Sequence, residues 1–222
     1  MYGMYDLSLF PLNTVLFPGV PIHLHIFEPR YRLMMHACIE QKLPFGVVLI
    51  REGMEALGPL PDPQSIGCTA RIVDVERLPD GRMNLTALGD ERFRILRLQH
   101  EHPFLTGQVE ALPLTAAHSM ELVLGVRALR QPLKRYLTIL SKLENAELDL
   151  SDLQMPDDPL ALVYLAASLL QLPAIEKQPL LEIDTASQLV ADVRRLYQRE
   201  NAIFKRLAGI GPGQAERFSW LN

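Results

Sequence analysis

The segment CTARIVDVERLPDGRMNLTALGDERFRILRL, residues 68–98, determines the fold class of this chain. Short runs of alternating apolar and polar side chains lie on both sides of Pro79-Asp80-Gly81, which is typical of half-buried strands. An Asp-Gly pair between two such runs predicts a β-hairpin, because glycine tolerates the positive φ angle that the turn demands. The segment therefore predicts antiparallel strands joined by a tight turn.

Shorter strand patterns surround this segment. Residues 21–27 (PIHLHIF) and 45–51 (FGVVLIR) are strand-like runs bounded by proline and glycine, and residues 103–112 (PFLTGQVEAL) add a further strand. Several strands at this spacing with frequent turns indicate a compact barrel or sandwich in the first half of the chain.

One helix is predicted within this β-rich half. Pro29 follows Glu28, and proline at the first helical position loses no hydrogen bond. Lys42-Leu43-Pro44 ends the helix, since the residue before a proline resists the α conformation. The apolar side chains between these limits recur at helical spacing on one face, at Tyr31, Met34, Met35, Cys38 and Ile39.

The second half of the chain has helical periodicity. Residues 117–143 predict a helix that Pro132 kinks or divides. Asp158-Pro159 predicts the cap and first turn of a buried core helix, and residues 174–182 predict a short helix or turn. Thr185 is expected to cap a long last helix. The predicted apolar stripe of that helix is Leu189, Val193, Leu196, Ile203 and Leu207.

Composition restricts the classes of partner. The 222 residues include 22 basic and 26 acidic side chains, a net charge of −4, so neither a nucleic-acid nor a membrane partner is expected. Cys38 and Cys68 are thirty positions apart and predict buried free thiols in a reducing cytoplasm. The first ten residues have no secretory signal pattern, and residues 159–173 are too short to span a bilayer. A cytoplasmic protein is therefore expected.

Motifs for catalysis are missing from the sequence. There is no Gly-x-Ser-x-Gly turn, no Gly-Lys pair of a P-loop, and no cysteine in the setting of an activated thiol. The expectation is a chain with no catalytic residues, no cofactor and no bound metal.

The pair His23 and His25 is the one pattern that suggests a metal site. Side chains two positions apart lie on one face of a strand, and Glu28 follows nearby, so a small metal-dependent enzyme using His23, His25 and Glu28 is one alternative. The spacing argues against it, because Pro29 starts a helix directly after Glu28. A structural or surface histidine pair is the favoured interpretation.

Basic residues of the last helix form the other pattern of interest. They alternate with Asp192 and Glu200, which favours a solvated helix face, and a partner surface is the alternative. The residues concerned are Arg194, Arg195, Arg199, Lys205 and Arg206.

Three blocks of the chain, in order, resemble the substrate-binding N-terminal domain of Lon ATP-dependent proteases in its stand-alone bacterial form. The first is FPLNTVLFPGVPIHLHIFEPRYR at residues 10–32. The second, residues 66–96, contains a Gly-x-x-Ala-x-Ile strand, an Asp-Gly-Arg turn and a Gly-x-x-Arg-Phe-Arg-Ile strand. The third, residues 157–190, opens with Asp-Asp-Pro and continues with Lys-Gln-x-Leu-Leu-Glu. His25 belongs to the family pattern, whereas His23 stands where the family usually has proline, which further weakens the metal hypothesis.

The resemblance covers residues 7–207 and implies an α+β fold. It consists of an N-terminal β-rich pseudo-barrel lobe with one inserted helix, packed against a C-terminal α-helical bundle. The expected boundaries are residues 1–113 for the β-rich lobe, 114–208 for the helical lobe and 209–222 for a flexible tail.

The resemblance also implies a non-catalytic polypeptide-recognition module that lacks the ATPase and Ser-Lys protease modules. The expected partners are unfolded or tagged polypeptides, with a separate ATPase or protease and a homo-oligomeric assembly as further candidates. A structural, self-associating protein is the second alternative. Four aromatic residues near turns are the candidate polypeptide-binding residues, although each also fits a core position: Phe17, Phe27, Tyr31 and Phe104.

Overall fold

The runs on either side of Pro79-Asp80-Gly81 form the two longest strands, and Gly81 has the positive φ angle of 81° that the turn requires. The computed structural model describes residues 3–56, 58–143 and 155–208. Within these residues, six strands and five helices make an α+β fold, as predicted. In chain order they are β1 (Tyr5–Leu12), β2 (Pro21–Ile26), α1 (Pro29–Gln41), β3 (Phe45–Glu52), β4 (Asp62–Arg77), β5 (Met83–Gln99), β6 (Thr106–Ala111), α2 (Met120–Leu143), α3 (Pro159–Leu169), α4 (Ala174–Glu182) and α5 (Ala186–Ala208).

The chain divides into two compact units. The barrel unit consists of Met1–Thr115 and Ala167–Asp184, and the helical unit consists of Ala116–Ala166 and Thr185–Asn222. The boundary at Ala166 falls inside α3, so both units include part of this helix. The lobe boundaries expected from the sequence stay predictions, and the tail at 209–222 lies outside the described residues.

The strands of the barrel unit close into a ring. β5 pairs with β4, β4 with β3, β3 with β1, β1 with β6, and β6 returns to β5. The β1–β3 pair is parallel and the other pairs are antiparallel. Among the described residues, β2 pairs only with β5. The predicted pseudo-barrel is therefore confirmed, and β2 is an edge strand added to it.

Gly89 lies where β5 changes its partner. Residues 83–88 of β5 pair with β2, and residues 93–99 pair with β6. At this point the Gly89 N–H donates to the Val20 carbonyl oxygen (3.0 Å), and its own carbonyl accepts from the Gly19 N–H (2.9 Å). A Cβ on Gly89 would lie 2.3 Å from the Phe17 carbonyl oxygen, so only glycine permits this close approach.

Strand β1 was not predicted. Pro11 lies within it, and proline inside an apolar run argues against a strand. Residues 9–12 are all buried, so the end of β1 also lacks the alternation that marks a half-buried strand. Its parallel pairing with β3 nevertheless accommodates Pro11, which lies opposite Val48. The predicted strand at 103–112 is present but begins only at Thr106.

Helix α1 has the predicted limits and the predicted buried face. Pro29 occupies its first turn, and Lys42 ends it in the left-handed conformation (φ 55°). Tyr31 contacts the strands directly, because its ring lies edge-to-face with Phe10 at 4.4 Å between centroids. The helix therefore closes one side of the barrel core through its buried residues Tyr31, Met34, Met35 and Cys38.

In the helical unit, α2 runs undivided through Pro132, so of the two predicted alternatives the division is wrong and the kink stays a prediction. Asn201 on α5 donates through Nδ2 to the Pro132 carbonyl oxygen (2.9 Å) and joins the two helices there. The predicted stripe of α5 is right for Leu189 and Val193 but wrong for Ile203, which is 42% exposed. Leu196 is partly buried, and the side chain of Leu207 lies outside the described residues. Tyr197 and Asn201 are buried on α5 instead. Their burial is tolerated because Tyr197 donates to the Ala166 carbonyl oxygen and Asn201 donates to that of Pro132.

Two predicted helix caps are confirmed. Asp158 Oδ2 accepts the Ala161 N–H at 2.7 Å before α3, and Thr185 Oγ1 accepts the Gln188 N–H at 3.3 Å before α5. The segment at residues 174–182 is a helix rather than a turn.

Candidate functional site

The two histidines of β2 lie on its exposed face. Residues along β2 alternate between exposed and more buried positions, so His23 and His25 share one face while Leu24 and Ile26 lie on the core side. His25 stacks on Phe27 with ring centroids 6.0 Å apart. The sequence therefore predicted the orientation of this pair correctly.

A cleft of about 250 Å³ runs along β2. Five consecutive residues, 23–27, line it together with residues 10–12 of β1. Successive side chains of a strand point to opposite faces, so a cavity that touches all five must follow the edge of the strand. β5 occupies the other edge of β2. We call this cavity the β2 cleft; its remaining lining residues are Glu28, Tyr31, Glu55 and Ala56.

The β2 cleft gathers two of the four predicted aromatic residues. Phe27 lies at its mouth with 43% of its side chain exposed, and Tyr31 lines it while being only 3% exposed. Phe17 and Phe104 are buried and are not among its lining residues. The structure thus brings Phe27 and Tyr31 together and leaves Phe17 and Phe104 in the core.

Tyr31, a lining residue of this cleft, carries a buried hydroxyl group. The hydroxyl has no hydrogen-bond partner among the described residues. Burial raises the pKa of Tyr31, while the Arg30 guanidinium opposes this rise and the carboxylates of Glu28 and Glu55 add to it. The hydroxyl is therefore protonated at neutral pH and can donate a hydrogen bond.

A second depression adjoins the β2 cleft at Glu28. It has a volume of about 470 Å³ and is lined by Glu28, Pro29, Arg30, Leu33, Gly58 and Pro103. Leu33 is 56% exposed on the outer side of α1. Leu33 was not among the candidate residues predicted from the sequence, although the predicted buried face of α1 excludes position 33 and so indicates an exposed leucine.

Arg30 contacts residues that line both depressions. Its guanidinium forms an ion pair with Glu28 (2.9 Å between Nη2 and Oε2) and donates to the Gly58 carbonyl oxygen at 3.1 Å. It also lies over the Tyr31 ring, 4.8 Å from the centroid. On β1's side, Glu55 Oε2 accepts the backbone N–H of Asn13 at 2.8 Å. The loop between β3 and β4 is thereby fastened beside the cleft.

The geometry gives no support to a metal site at His23, His25 and Glu28. His25 Nδ1 lies 2.7 Å from Asn84 Oδ1, and His25 Nε2 lies 3.5 Å from Nη1 of the Arg82 guanidinium, a cation that disfavours a metal ion at this nitrogen. Glu28 is engaged by Arg30. Within the ranges that the structure describes, no group of three histidine, cysteine or acidic residues has the arrangement needed to hold a metal ion.

Both cysteines are buried free thiols, as expected. Burial raises the pKa of Cys38 to about 11 and that of Cys68 to about 12. Each stays protonated at neutral pH, so neither is an activated nucleophile. Among the described helices, none has the length and apolar character needed to cross a membrane.

Comparison with known proteins gives a consistent result. Residues 6–199 match the family model described as the ATP-dependent protease La (LON) substrate-binding domain. The chain is 26% identical over 188 residues to Lon protease 1 of Hydrogenovibrio crunogenus and 31% identical over 187 residues to the Lon protease of Paraburkholderia phytofirmans. These matches cover 85% and 82% of the chain but only 23% of each relative. The chain thus spans less than a quarter of the length of these curated relatives.

Solved structures agree with this result. The crystal structure of a Lon N-terminal domain protein from Xanthomonas campestris is similar, with a TM-score of 0.63, 26% identity, and coverage of 85% of this chain and 96% of the other. The N-terminal domain of the Mycobacterium avium complex Lon protease gives a TM-score of 0.61 at 17% identity, with coverage of 87% and 98%. The second likeness concerns the fold alone.

Proposed function

Because the chain belongs to the family of ATP-dependent protease La (LON) substrate-binding domains, we propose that it is a non-catalytic module that binds extended segments of unfolded or tagged polypeptides. The observation that carries this proposal is the β2 cleft. It combines a strand edge that is unpaired among the described residues, the exposed aromatic side chain of Phe27 and Tyr31, whose buried hydroxyl is a potential donor.

The mode of binding that we propose is strand addition. An edge strand presents backbone N–H and C=O groups that an incoming extended chain can pair with, whatever its sequence. Phe27 and Leu33 lie at the mouths of the two adjoining depressions and would cover apolar side chains of the bound segment. Backbone pairing supplies affinity without sequence specificity, which suits a module that recognises unfolded chains.

We propose no catalytic reaction for this chain. Its two cysteines are protonated, and its histidine pair is engaged by polar neighbours. Degradation of a bound polypeptide would therefore depend on a separate ATPase or protease, and assembly into a homo-oligomer, measurable by light scattering, belongs to the same proposal. A cytoplasmic location is also part of it, consistent with two free, buried thiols.

The β2 cleft and the adjoining depression are tested by removing one exposed apolar side chain from each. The double variant Phe27→Ser/Leu33→Ser is expected to bind a permanently unfolded protein, such as reduced and carboxymethylated lactalbumin, about tenfold or more weakly, because two apolar contacts are lost. The measurement is titration calorimetry or fluorescence anisotropy. Both side chains are exposed, so the thermal unfolding midpoint should hardly change.

The matched control is Leu43→Ser/Val73→Ser. These side chains are similarly exposed in the barrel unit but line neither depression. The affinity of this control variant for the unfolded protein should stay within about twofold of that of the unaltered chain.

Strand addition is tested separately with a valine- and threonine-rich peptide and with a copy of this peptide that is methylated on alternate backbone nitrogens. Equal binding of both peptides would exclude strand addition, and failure of every unfolded protein to bind would refute the function itself.

The variant Tyr31→Phe separates binding from stability. The Tyr31 hydroxyl has no partner among the described residues, and a buried hydroxyl without one costs about 1–3 kcal/mol of folding free energy. Its removal should therefore leave the free energy of unfolding unchanged or raise it. If a bound polypeptide carbonyl accepts a hydrogen bond from this hydroxyl, the affinity should fall about fivefold to tenfold. Urea unfolding and the same binding titration measure the two effects; unchanged affinity would remove Tyr31 from the site.

A further inference from the structure

Helices α2 and α5 of the helical unit carry a strong excess of positive charge. Together they contain ten basic and three acidic side chains, a net charge of +7, in a chain whose net charge is −4. Both acidic residues of α5 are already paired: Asp192 with Arg195, and Glu200 with Arg199. The other basic side chains of these helices therefore make the local electrostatic potential positive.

A groove of about 500 Å³ lies between the two helices. On α5 its lining residues recur over two helical turns, from Gln198 to Lys205, a length of about 10 Å. The α2 side of the groove includes Pro132 and Arg135, and Asn201 fixes the floor through its hydrogen bond to the Pro132 carbonyl. The groove is therefore an elongated surface feature with a defined floor.

The charged groups of the groove are both basic. Arg135 and Lys205 are exposed, and within the described ranges neither forms an ion pair with a carboxylate. The groove's other polar side chains are the amides of Gln131, Gln198 and Asn201, and none of its described lining residues is acidic. An anionic occupant would thus meet only attraction from the charges of the groove.

We propose that this groove binds an acidic segment of a partner polypeptide. Arg135 can bind a carboxylate through two parallel N–H donors, and Lys205 supplies a second positive charge. The glutamine amides can both donate to and accept from a peptide backbone. The length of the groove matches three or four residues of extended chain. The inference goes beyond the proposed function, because the groove belongs to the helical unit and the β2 cleft to the barrel unit.

The composition of the groove favours an acidic polypeptide over a nucleic acid. Grooves that hold single strands combine positive charge with aromatic side chains on which bases stack. No aromatic residue is among the described lining residues of this groove. Amide side chains and a small, partly apolar floor at Pro132 and Ala202 instead match a peptide backbone.

The test uses the full chain and a short fluorescent peptide rich in glutamate. The double variant Arg135→Glu/Lys205→Glu should bind this peptide about tenfold or more weakly, and binding to the unaltered chain should weaken steeply as salt is added. The control is Arg77→Glu/Arg97→Glu, which changes the net charge equally with two exposed residues of the barrel unit. The affinity of this control variant for the glutamate-rich peptide should stay within about twofold of that of the unaltered chain.

Three results would overturn the inference. The first is no measurable binding of the glutamate-rich peptide, and the second is equal weakening by both double variants, which would indicate attraction by net charge alone. The third is tighter binding of a single-stranded oligonucleotide that displaces the peptide, which would assign the groove to nucleic acid. Arg135→Lys/Lys205→Arg retains both charges but loses the two parallel donors at position 135, so it should weaken binding much less than the charge reversal does. Binding of the unfolded protein at the β2 cleft is measured in parallel; it should be unaffected by the groove variant, so failure of one site does not imply failure of the other.

Discussion

Replacing Gly67 by alanine is expected to lower the free energy of unfolding strongly. A Cβ at this position would lie 2.5 Å from the Val47 carbonyl oxygen and 2.7 Å from both Phe93 Cζ and Val48 Cγ1. The oxygen belongs to the β3 backbone, which pairs with β4 at this point, so it cannot move without disturbing the sheet. Overpacking of this kind costs about 3 kcal/mol or more, a large part of the 5–15 kcal/mol that stabilises a typical protein.

Urea unfolding monitored by circular dichroism measures this effect. Gly3→Ala is the matched control, because no heavy atom lies within 4 Å of the position that its Cβ would take. The control should unfold within about 0.5 kcal/mol of the unaltered chain. An equally small effect for Gly67→Ala would show that β3 and β4 do not approach each other as closely as described.

Replacing Arg92 by methionine should have the second-largest effect, a loss of about 3 kcal/mol. Arg92 is 3% exposed on β5 and donates through Nη1 to the carbonyl oxygens of Leu181 (2.7 Å) and Ile183. Those carbonyls end α4, where the last turn of a helix lacks internal donors. Methionine keeps much of the volume but leaves both acceptors without this donor, at a cost of about 1–3 kcal/mol each.

The control for this substitution is Arg71→Met on the neighbouring strand β4. Arg71 forms an exposed ion pair with Asp90 (2.9 Å), and such pairs contribute about 0.2–1 kcal/mol. Thermal unfolding should therefore shift much less for Arg71→Met than for Arg92→Met. A similar shift for both would mean that the two carbonyls find water or another donor in the absence of Arg92.

The sequence was sufficient to predict some features of the fold but not others. Local signals were sufficient for the Asp80-Gly81 turn and for helix α1 at Pro29, since turn and cap chemistry act over a few residues. The change of partner along β5 depends on Gly89 approaching Phe17, more than seventy positions away in the chain. Periodicity contains no information about such contacts, so the strand pattern left a barrel and a sandwich both open, and the family resemblance favoured the barrel.

The candidate site was predictable to a similar degree. An aromatic residue near a turn can be buried or exposed, and only the tertiary structure distinguishes Phe27 from Phe17. Tyr31 was correctly placed on the buried face of α1, but its unpartnered hydroxyl follows from the arrangement of residues around it. Whether Phe27 and Tyr31 bind polypeptide stays a prediction until the variants are measured.

Ring closure has a consequence for misassembly. A sheet edge is a template on which a second copy of the same chain can grow, and closing β1, β3, β4, β5 and β6 into a ring removes most of that template. The hazard of edge-to-edge aggregation in the barrel unit is thereby concentrated in the six residues of β2. Pro21 at its start and the two exposed histidines keep this edge short and polar. The strand edge that we propose for polypeptide binding is thus also the edge through which two copies of this chain could pair.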